Sequence, residues 1–309
     1  MTGRSVPAPL QPGDRVGIVC PSGPASAERL RQAMELLQSW DLVPVPGPNA
    51  RAVHPRAGYL AGTDAERAAD LQDAWCDDTL KAVFCARGGY GAVRILDLLD
   101  TDKLRAAAPK ALFGSSDVTA LHEFWSEQLG LATWFSPMIG TDAVLGDDIA
   151  AEDLHSAVFG THPGVYQAGT GARTMVAGRA TGELTGGNLS LLAMTTGTRG
   201  RTRKRAEGKI VLLEDVTEEP YRIDALLHIL LRSGYFEGAA GIVLGTWVEC
   251  GELTAVLDLL DEVLSPLGIP LASGFPLGHG PQARSIPLGV RAELHAGQEA
   301  VLTLQGSRG

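Results

Sequence analysis

Across the first 135 residues, short apolar runs alternate with stretches of helical periodicity, and the turns leaving the apolar runs are rich in glycine, serine and proline. Arg15–Cys20 (RVGIVC) ends in Pro21-Ser22-Gly23-Pro24, Lys81–Ala86 (KAVFCA) runs into Arg87-Gly88-Gly89-Tyr90-Gly91, and Lys110–Phe113 meets Gly114-Ser115-Ser116-Asp117. Such runs read as buried strands stopped by turn clusters. Ser26 caps a helical pattern to about Trp40, with Leu30, Ala33, Leu36 and Leu37 on one face. Thr63 forms a capping box with Glu66 and opens a helix to about Trp75. Further strands are expected at Leu42–Val45 and Thr133–Phe135, and further helices at Ala92–Leu99 and from Asp117 to about Gln128. Strands spaced by helices of this length require βαβ crossovers, hence an α/β fold with a mostly parallel sheet. Ligands of such folds sit at the carboxyl ends of the strands, where these turns lie.

The pattern changes after about Gly160. The run GTHPGVYQAGTGAR (160–173) is Gly/Thr/Pro-rich and reads as an interdomain connection. The expected division is an N-terminal domain over 1–162, a linker over 163–175 and a C-terminal β/α domain over 176–309. In the second half, Gly186-Gly187-Asn188 reads as a turn before an apolar helix starting at Leu189–Met194. Ile210–Leu213 is a buried strand ending in Glu214-Asp215, followed by a helix at about Arg222–Arg232, a strand at Gly241–Thr246 and a helix at Leu253–Leu264. A last strand pair is expected near Arg291–His295 and Ala300–Leu304, and the basic run Arg199–Arg205 reads as a solvated loop.

Composition narrows the function classes. With 26 basic and 36 acidic side chains among 309 residues, the net charge of −10 argues against nucleic acid or an anionic membrane as the main partner. Cys20, Cys76, Cys85 and Cys250 lie far apart with no CxxC pair, which suggests a reducing compartment. The opening MTGRSVPAPLQPGD has no apolar core of a secretory signal, and no window approaches the ~20 apolar residues of a membrane span. A cytoplasmic location is expected. The seven histidines form no HExxH or other ligand pair, so neither metal nor cofactor is expected.

Strand, Gly114-Ser115-Ser116-Asp117, helix is the layout of a nucleophile elbow. A sharp turn lifts a serine hydroxyl out of the sheet, and the next amide can donate to a developing oxyanion. Val118 stands where G-x-S-x-G requires glycine, and taken alone a serine here is more often a helix cap. The three glycines of Arg87–Gly91 fit a phosphate cradle, a bare backbone beside a reacting carbonyl, or simply a tight turn. Glu214 ends a strand, either exposed at the sheet rim or held by a partner, and His279 sits in the side-chain-poor turn Gly278-His279-Gly280-Pro281. A serine nucleophile needs a base, and an imidazole base needs a carboxylate to fix its tautomer. Ser116, His279 and Glu214 supply one of each.

These residues resemble the LD-carboxypeptidases of the serine peptidase S66 group, which also contains microcin C immunity peptidases. The resemblance runs through Gly13-Asp14-Arg15-Val16 with Pro21-Ser22-Gly23, GYLAGTDAERAADL (58–71), FCARGGYGAVRILDLLD (84–100) and GSSDVTALH (114–122). It continues through GELTGGNLSLL (182–192), LLEDVTEEPYRID (213–224), GFPLGHG (274–280) and IPLG (286–289). It implies an N-terminal flavodoxin-like domain with the nucleophile and a C-terminal β/α domain with the other triad members. By motif, Ser116 is the nucleophile in preference to Ser115, Glu214 the triad carboxylate and His279 the base. Gly89, more than Gly88, and the Asp117 amide match the oxyanion hole, and Arg87, Gly88 and Tyr90 are candidates for substrate binding. Ser115 departs from the pattern, standing where a bulkier residue is frequent.

The implied activity is metal-independent hydrolysis of the bond between an L-diamino acid and D-Ala in murein tetrapeptides, by a homodimer, during cell-wall recycling. Two rivals stay open. One is a hydrolase of a peptidyl- or aminoacyl-nucleotide giving self-immunity, which needs an aromatic platform such as Trp134 or Trp247. The other is a non-catalytic protein whose glycine turns hold a small ligand.

Overall fold

The structure is a computed structural model and describes residues 4, 6–197 and 205–305. The chain divides into two compact units. One is Ser5–His162 together with the returning segment Arg284–Ile286; the other is Met1–Arg4, Pro163–Ala283 and Pro287–Gly309.

In the N-terminal unit, β1 (Arg15–Val19), β2 (Val43–Pro46), β3 (Leu80–Cys85), β4 (Ala111–Gly114) and β5 (Thr133–Phe135) lie in the order β5-β4-β3-β1-β2. Every neighbouring pair in that order is parallel. This is the doubly wound arrangement of flavodoxin-like folds, with the strand order reversing between β1 and β3. β1, β3 and β4 are buried on nearly every residue because helices cover both faces, and Phe84, Phe113 and Trp134 stack across β3, β4 and β5. Ser26 and Thr63 cap helices Ala27–Ser39 and Asp64–Cys76, the second through the full capping box with Glu66. The helix expected over Ala92–Leu99 is shorter, one α-turn at Ala92–Ile95 followed by a 3₁₀ turn. Asp148–Val158 forms a helix that the sequence reading left unassigned.

The other unit holds an eight-stranded mixed sheet. Its strands are β6 (Val165–Gln167), β7 (Thr174–Val176), β8 (Gly178–Asn188), β9 (Lys209–Val216), β10 (Gly241–Val248), β11 (Leu271–Ala272), β13 (Arg291–Ala296) and β14 (Val301–Leu304). The short β12, Ile286–Leu288, begins in the returning segment and takes the edge of the first sheet beyond β5. At the centre of the mixed sheet, β8, β9, β10 and β11 run parallel, and antiparallel strands flank them. Helices Pro220–Ser233 and Leu253–Leu264 bury Ile223, Leu227, Leu230, Val256 and Leu260 in a core with Val211, Leu213, Ile242 and Leu244.

Three expectations change here. The stretch 163–175 is not a bare connection, since β6 and the start of β7 pair into the second sheet. Gly186-Gly187-Asn188 is not a turn but the end of β8. A Cβ on Gly186 would meet the Leu212 carbonyl oxygen at 2.1 Å, so glycine there admits a close backbone approach from β9. Of the basic run 199–205, residues 199–204 lie outside the described residues. Arg205 is buried, not solvated, with its guanidinium 4.8 Å above the Tyr235 ring and donating to the Leu192 carbonyl at 3.2 Å. All four cysteines are free thiols. Among the described residues, no helix is long and apolar enough to cross a membrane.

Candidate active site

The functional candidates of the N-terminal unit gather at the carboxyl ends of β1, β3 and β4. Ser116 lies one residue beyond β4 and opens a 3₁₀ turn leading into helix Thr119–Phe124. Its φ of +57° is in the left-handed region, which a non-glycine residue enters at a cost of order 1–3 kcal/mol. A plain helix cap needs no such conformation, because cap residues are normally extended. Ser115, by contrast, is extended and buried. The base of the turn is held by the Gly114 carbonyl, which accepts from the Ser136 amide at 2.9 Å and from His122 Nε2 at 2.9 Å. A carbonyl cannot donate, so Nε2 carries the proton, and burial lowers the His122 pKa to about 4, which keeps the ring neutral.

The glycine loop after β3 lies against this serine. A Cβ on Gly88 would stand 2.9 Å from Ser116 Cβ and 3.0 Å from its Oγ, so only glycine leaves the hydroxyl where it is. Gly89 and Gly91 have φ of +102° and +132°. The Gly88 carbonyl accepts from the Gly23 amide at 2.9 Å, which ties this loop to the turn after β1. Asp117 is fully buried, and its Oδ2 accepts from the Ala92 amide at 2.7 Å, fastening the elbow to the far end of the glycine loop. Burial pushes the Asp117 carboxyl up, against the lowering by the Ala92 and Gly91 amides.

Behind the loops lies a residue that sequence reading passed over. Arg67, buried on helix Asp64–Cys76, donates from Nε to the Pro21 carbonyl at 3.0 Å, from Nη1 to Gly62 at 2.9 Å and from Nη2 to Gly91 at 3.3 Å. Asp64 neutralises it at 2.6 Å. The 58–71 motif thus serves the turns that surround the serine. Helical spacing alone gave no sign of this, because the arginine's partners are backbone carbonyls distant in sequence.

In the other unit, Glu214 and His279 meet. His279 Nδ1 lies 2.6 Å from Glu214 Oε2. The glutamate side chain is 0% exposed and the histidine 23%. Rim exposure, the simpler reading of Glu214, is therefore wrong. Burial works against a charged imidazole, but the Glu214 charge and hydrogen bond, helped by Asp215, outweigh it and raise the His279 pKa. The second carboxylate oxygen accepts from Asn188 Nδ2 at 3.2 Å. Asn188 also donates to Asp215 Oδ1 at 2.8 Å, and its own Oδ1 caps the helix at Leu189–Met194. Asp215 Oδ2 takes the Ser190 hydroxyl at 2.7 Å and the Ser190 amide at 2.9 Å. Burial and the neighbouring Glu214 charge lift the Asp215 pKa to about 6.

The turn presenting His279 is fixed to a bulge in β10. The Thr246 amide donates to the Leu277 carbonyl at 2.9 Å, and the Gly280 amide donates to Thr246 Oγ1 at 3.1 Å. Gly278, at φ +126°, has no room for a side chain, since a Cβ would fall 2.5 Å from both Glu214 Oε2 and Thr246 Oγ1. Asn188, Asp215 and Thr246 were not anticipated as parts of this site. Their partners come from separate strands, and only the strand register reveals them. Among the described residues, no group of three or more His, Cys, Asp or Glu side chains is arranged to hold a metal ion.

Residues 16–136 match the LD-carboxypeptidase N-terminal domain model, and residues 181–294 match the C-terminal domain model. The chain belongs to the LD-carboxypeptidase family. It is an enzyme of the S66 serine peptidase type, which removes the non-catalytic ligand-binding reading. Streptomyces coelicolor SCO6489, provisionally named a carboxypeptidase, is 46% identical over 290 residues, covering 94% of this chain and 93% of its own. The murein tetrapeptide carboxypeptidase of Pseudomonas aeruginosa is 32% identical over 308 residues, covering 92% of this chain and 94% of its own. The structure of MccF in complex with glutamyl sulfamoyl guanosine superposes with a TM-score of 0.85 over 98% of this chain and 99% of that one. At 23% identity this likeness concerns the fold.

Proposed function

We propose that this LD-carboxypeptidase family member hydrolyses the bond between an L-diamino acid and terminal D-Ala in murein tetrapeptides by a Ser116–His279–Glu214 triad. Ser116 attacks the peptide carbonyl as His279 takes its proton, and His279 then returns that proton to the departing D-Ala amine. Water repeats the cycle on the acyl-enzyme. Glu214 orients the imidazole through Nδ1 and stabilises its charged form. The Gly89 and Asp117 amides receive the oxyanion, each donor worth about 3–4 kcal/mol. Both domains contribute, the nucleophile from 1–162 and the acid–base pair from 176–309.

The observation that carries this reading is the 2.6 Å contact between His279 and a glutamate with no solvent exposure. A buried carboxylate on Nδ1 leaves Nε2 as the ring's working nitrogen, which is the requirement for a general base. The name of the Pseudomonas relative supplies the substrate class. Ser116→Ala is expected to abolish D-Ala release from an L,D-tetrapeptide while thermal unfolding stays unchanged, and undiminished turnover in that variant overturns the assignment.

A second reading, hydrolysis of a peptidyl- or aminoacyl-nucleotide, draws on the likeness to MccF. Trp134 and Trp247, the rings considered as base platforms, speak against it. Trp247 is buried in the core of its unit, and Trp134 is stacked on Phe113 at 5.8 Å. Rates on an acyl-sulfamoyl adenylate and on a muropeptide separate the two.

A further inference from the structure

The glycine loop beside Ser116 also forms one wall of a cleft that the triad does not use. The cleft, about 570 Å³, is lined by Gly23 and Pro24 after β1, Gly58 and Tyr59, and Arg87, Gly89 and Tyr90 after β3. It therefore lies at the reversal of strand order between β1 and β3, where doubly wound sheets bind their ligands. Gly89, the proposed oxyanion donor, faces it.

The three arginines of this region differ in how their charge is met. Arg67 and Arg94 both pair with Asp64, at 2.6 and 2.8 Å. Arg87 is instead held by a neutral group, donating from Nη1 to the Pro24 carbonyl at 2.8 Å. That bond restrains the guanidinium without neutralising it, and among the described residues no carboxylate pairs with it. The remaining Nε/Nη2 edge is a planar fork that matches a carboxylate bidentately. Beside it stand two exposed tyrosines, Tyr59 at 61% and Tyr90 at 38% exposure, with ring centroids 6.1 Å apart and planes inclined by 56°. Rings at that angle do not form a parallel slot for a flat base, but they do wall a short aliphatic segment.

We infer that this cleft binds a carboxylate of the peptide substrate on Arg87, with Tyr59 and Tyr90 covering the adjoining aliphatic atoms. The inference rests on the peptidase reading above. Two peptide groups have this chemistry, the free C-terminal carboxylate of the leaving residue and the second carboxylate of a dicarboxylic diamino acid on the acyl side. An enzyme restricted to chain ends must recognise one feature of the end, and an uncompensated arginine in a cleft shared with Gly89 provides that recognition.

The test compares four tetrapeptides, with a C-terminal acid or amide and with lysine or its dicarboxylic counterpart before the scissile bond. The wild-type protein is expected to favour the carboxylate form at one of the two positions by about 10- to 100-fold in kcat/KM. Arg87→Met is expected to erase that preference, Arg87→Lys to restore part of it, and Lys103→Met, a surface cation outside the cleft, to keep it whole. The position whose preference disappears identifies the bound carboxylate. A preference that survives in Arg87→Met, or none at either position in the wild type, overturns the inference. Calorimetric binding of the same peptides to Ser116→Ala protein keeps the two readings apart. Arg87-dependent binding without wild-type turnover preserves the cleft and defeats the hydrolase, whereas turnover without carboxylate preference does the reverse. Arg87-dependent affinity for an acyl-sulfamoyl adenylate alone also overturns the inference.

Discussion

The serine side and the imidazole side of the candidate site are built by opposite means. Ser116 is set by the backbone: a left-handed φ, a glycine pressed against its Cβ, and carbonyls tied off by Ser136, His122 and Arg67. His279 is set by side chains, through a chain of buried polar groups from Glu214 to Asn188, Asp215 and Ser190. The contrast fits the roles proposed for the two groups. A nucleophile must project from the sheet at a fixed angle, which a strained turn accomplishes. A base must change charge during each cycle, which requires a compensating ion held in low dielectric.

The largest effect should come from the polar side. Glu214→Gln preserves shape but removes the charge that favours imidazolium, and kcat is expected to fall about 10²- to 10⁴-fold. Loss of less than tenfold, measured on a tetrapeptide, would mean that burial rather than charge positions the histidine.

Paired glycine substitutions sharpen the contrast. In Gly278→Ala the new methyl group strikes Glu214 and the backbone is strained at φ +126°, so both activity and stability should drop, the latter by about 1–3 kcal/mol. Gly88 has no positive φ, so Gly88→Ala should chiefly displace Ser116, costing about 10²-fold in kcat with the smaller shift in melting temperature. Equal losses of stability in the two variants would erase the distinction drawn between them.

The smallest effect is on pH dependence. His279 has its pKa raised above 6.5, so the stabilisation from its charged pair with Glu214 is fully present below that value and is lost as pH rises through the folded-state value. Activity needs the neutral ring and should move the other way, rising over the same window. Because Asp215 adds to the raising of His279, Asp215→Asn should slide the acid limb of kcat/KM to lower pH. A limb that stays put would show that Asp215 supports structure alone.

Much of this was legible from the sequence, for identifiable reasons. Local signals, such as the Thr63 capping box and the alternation of buried strands with helices, depend on near neighbours and appear in the structure where expected. Motif resemblance led to the family. Contacts between distant segments could not be read. Gly186 and Gly187 look like a turn until β9 is laid beside them, and Arg67 looks like an ordinary helix residue until three loops bring their carbonyls to it. Tyr59 was missed because nothing local pairs it with Tyr90.

Glu214 and Asp215 are consecutive on β9, and Glu214 sits opposite Asn188 in the β8–β9 ladder. Side chains of a strand alternate in direction, so a slip of one position would offer histidine an acid one methylene shorter and turn the glutamate toward the start of a helix. The observed register seats Gly186 against Leu212, where a Cβ would fall 2.1 Å from the Leu212 carbonyl oxygen, so a side chain at 186 could not keep this pairing. On the proposed triad, the choice between two adjacent acids is thus tied to a glycine remote from any reacting atom, whose missing side chain lets the two strands close in this register.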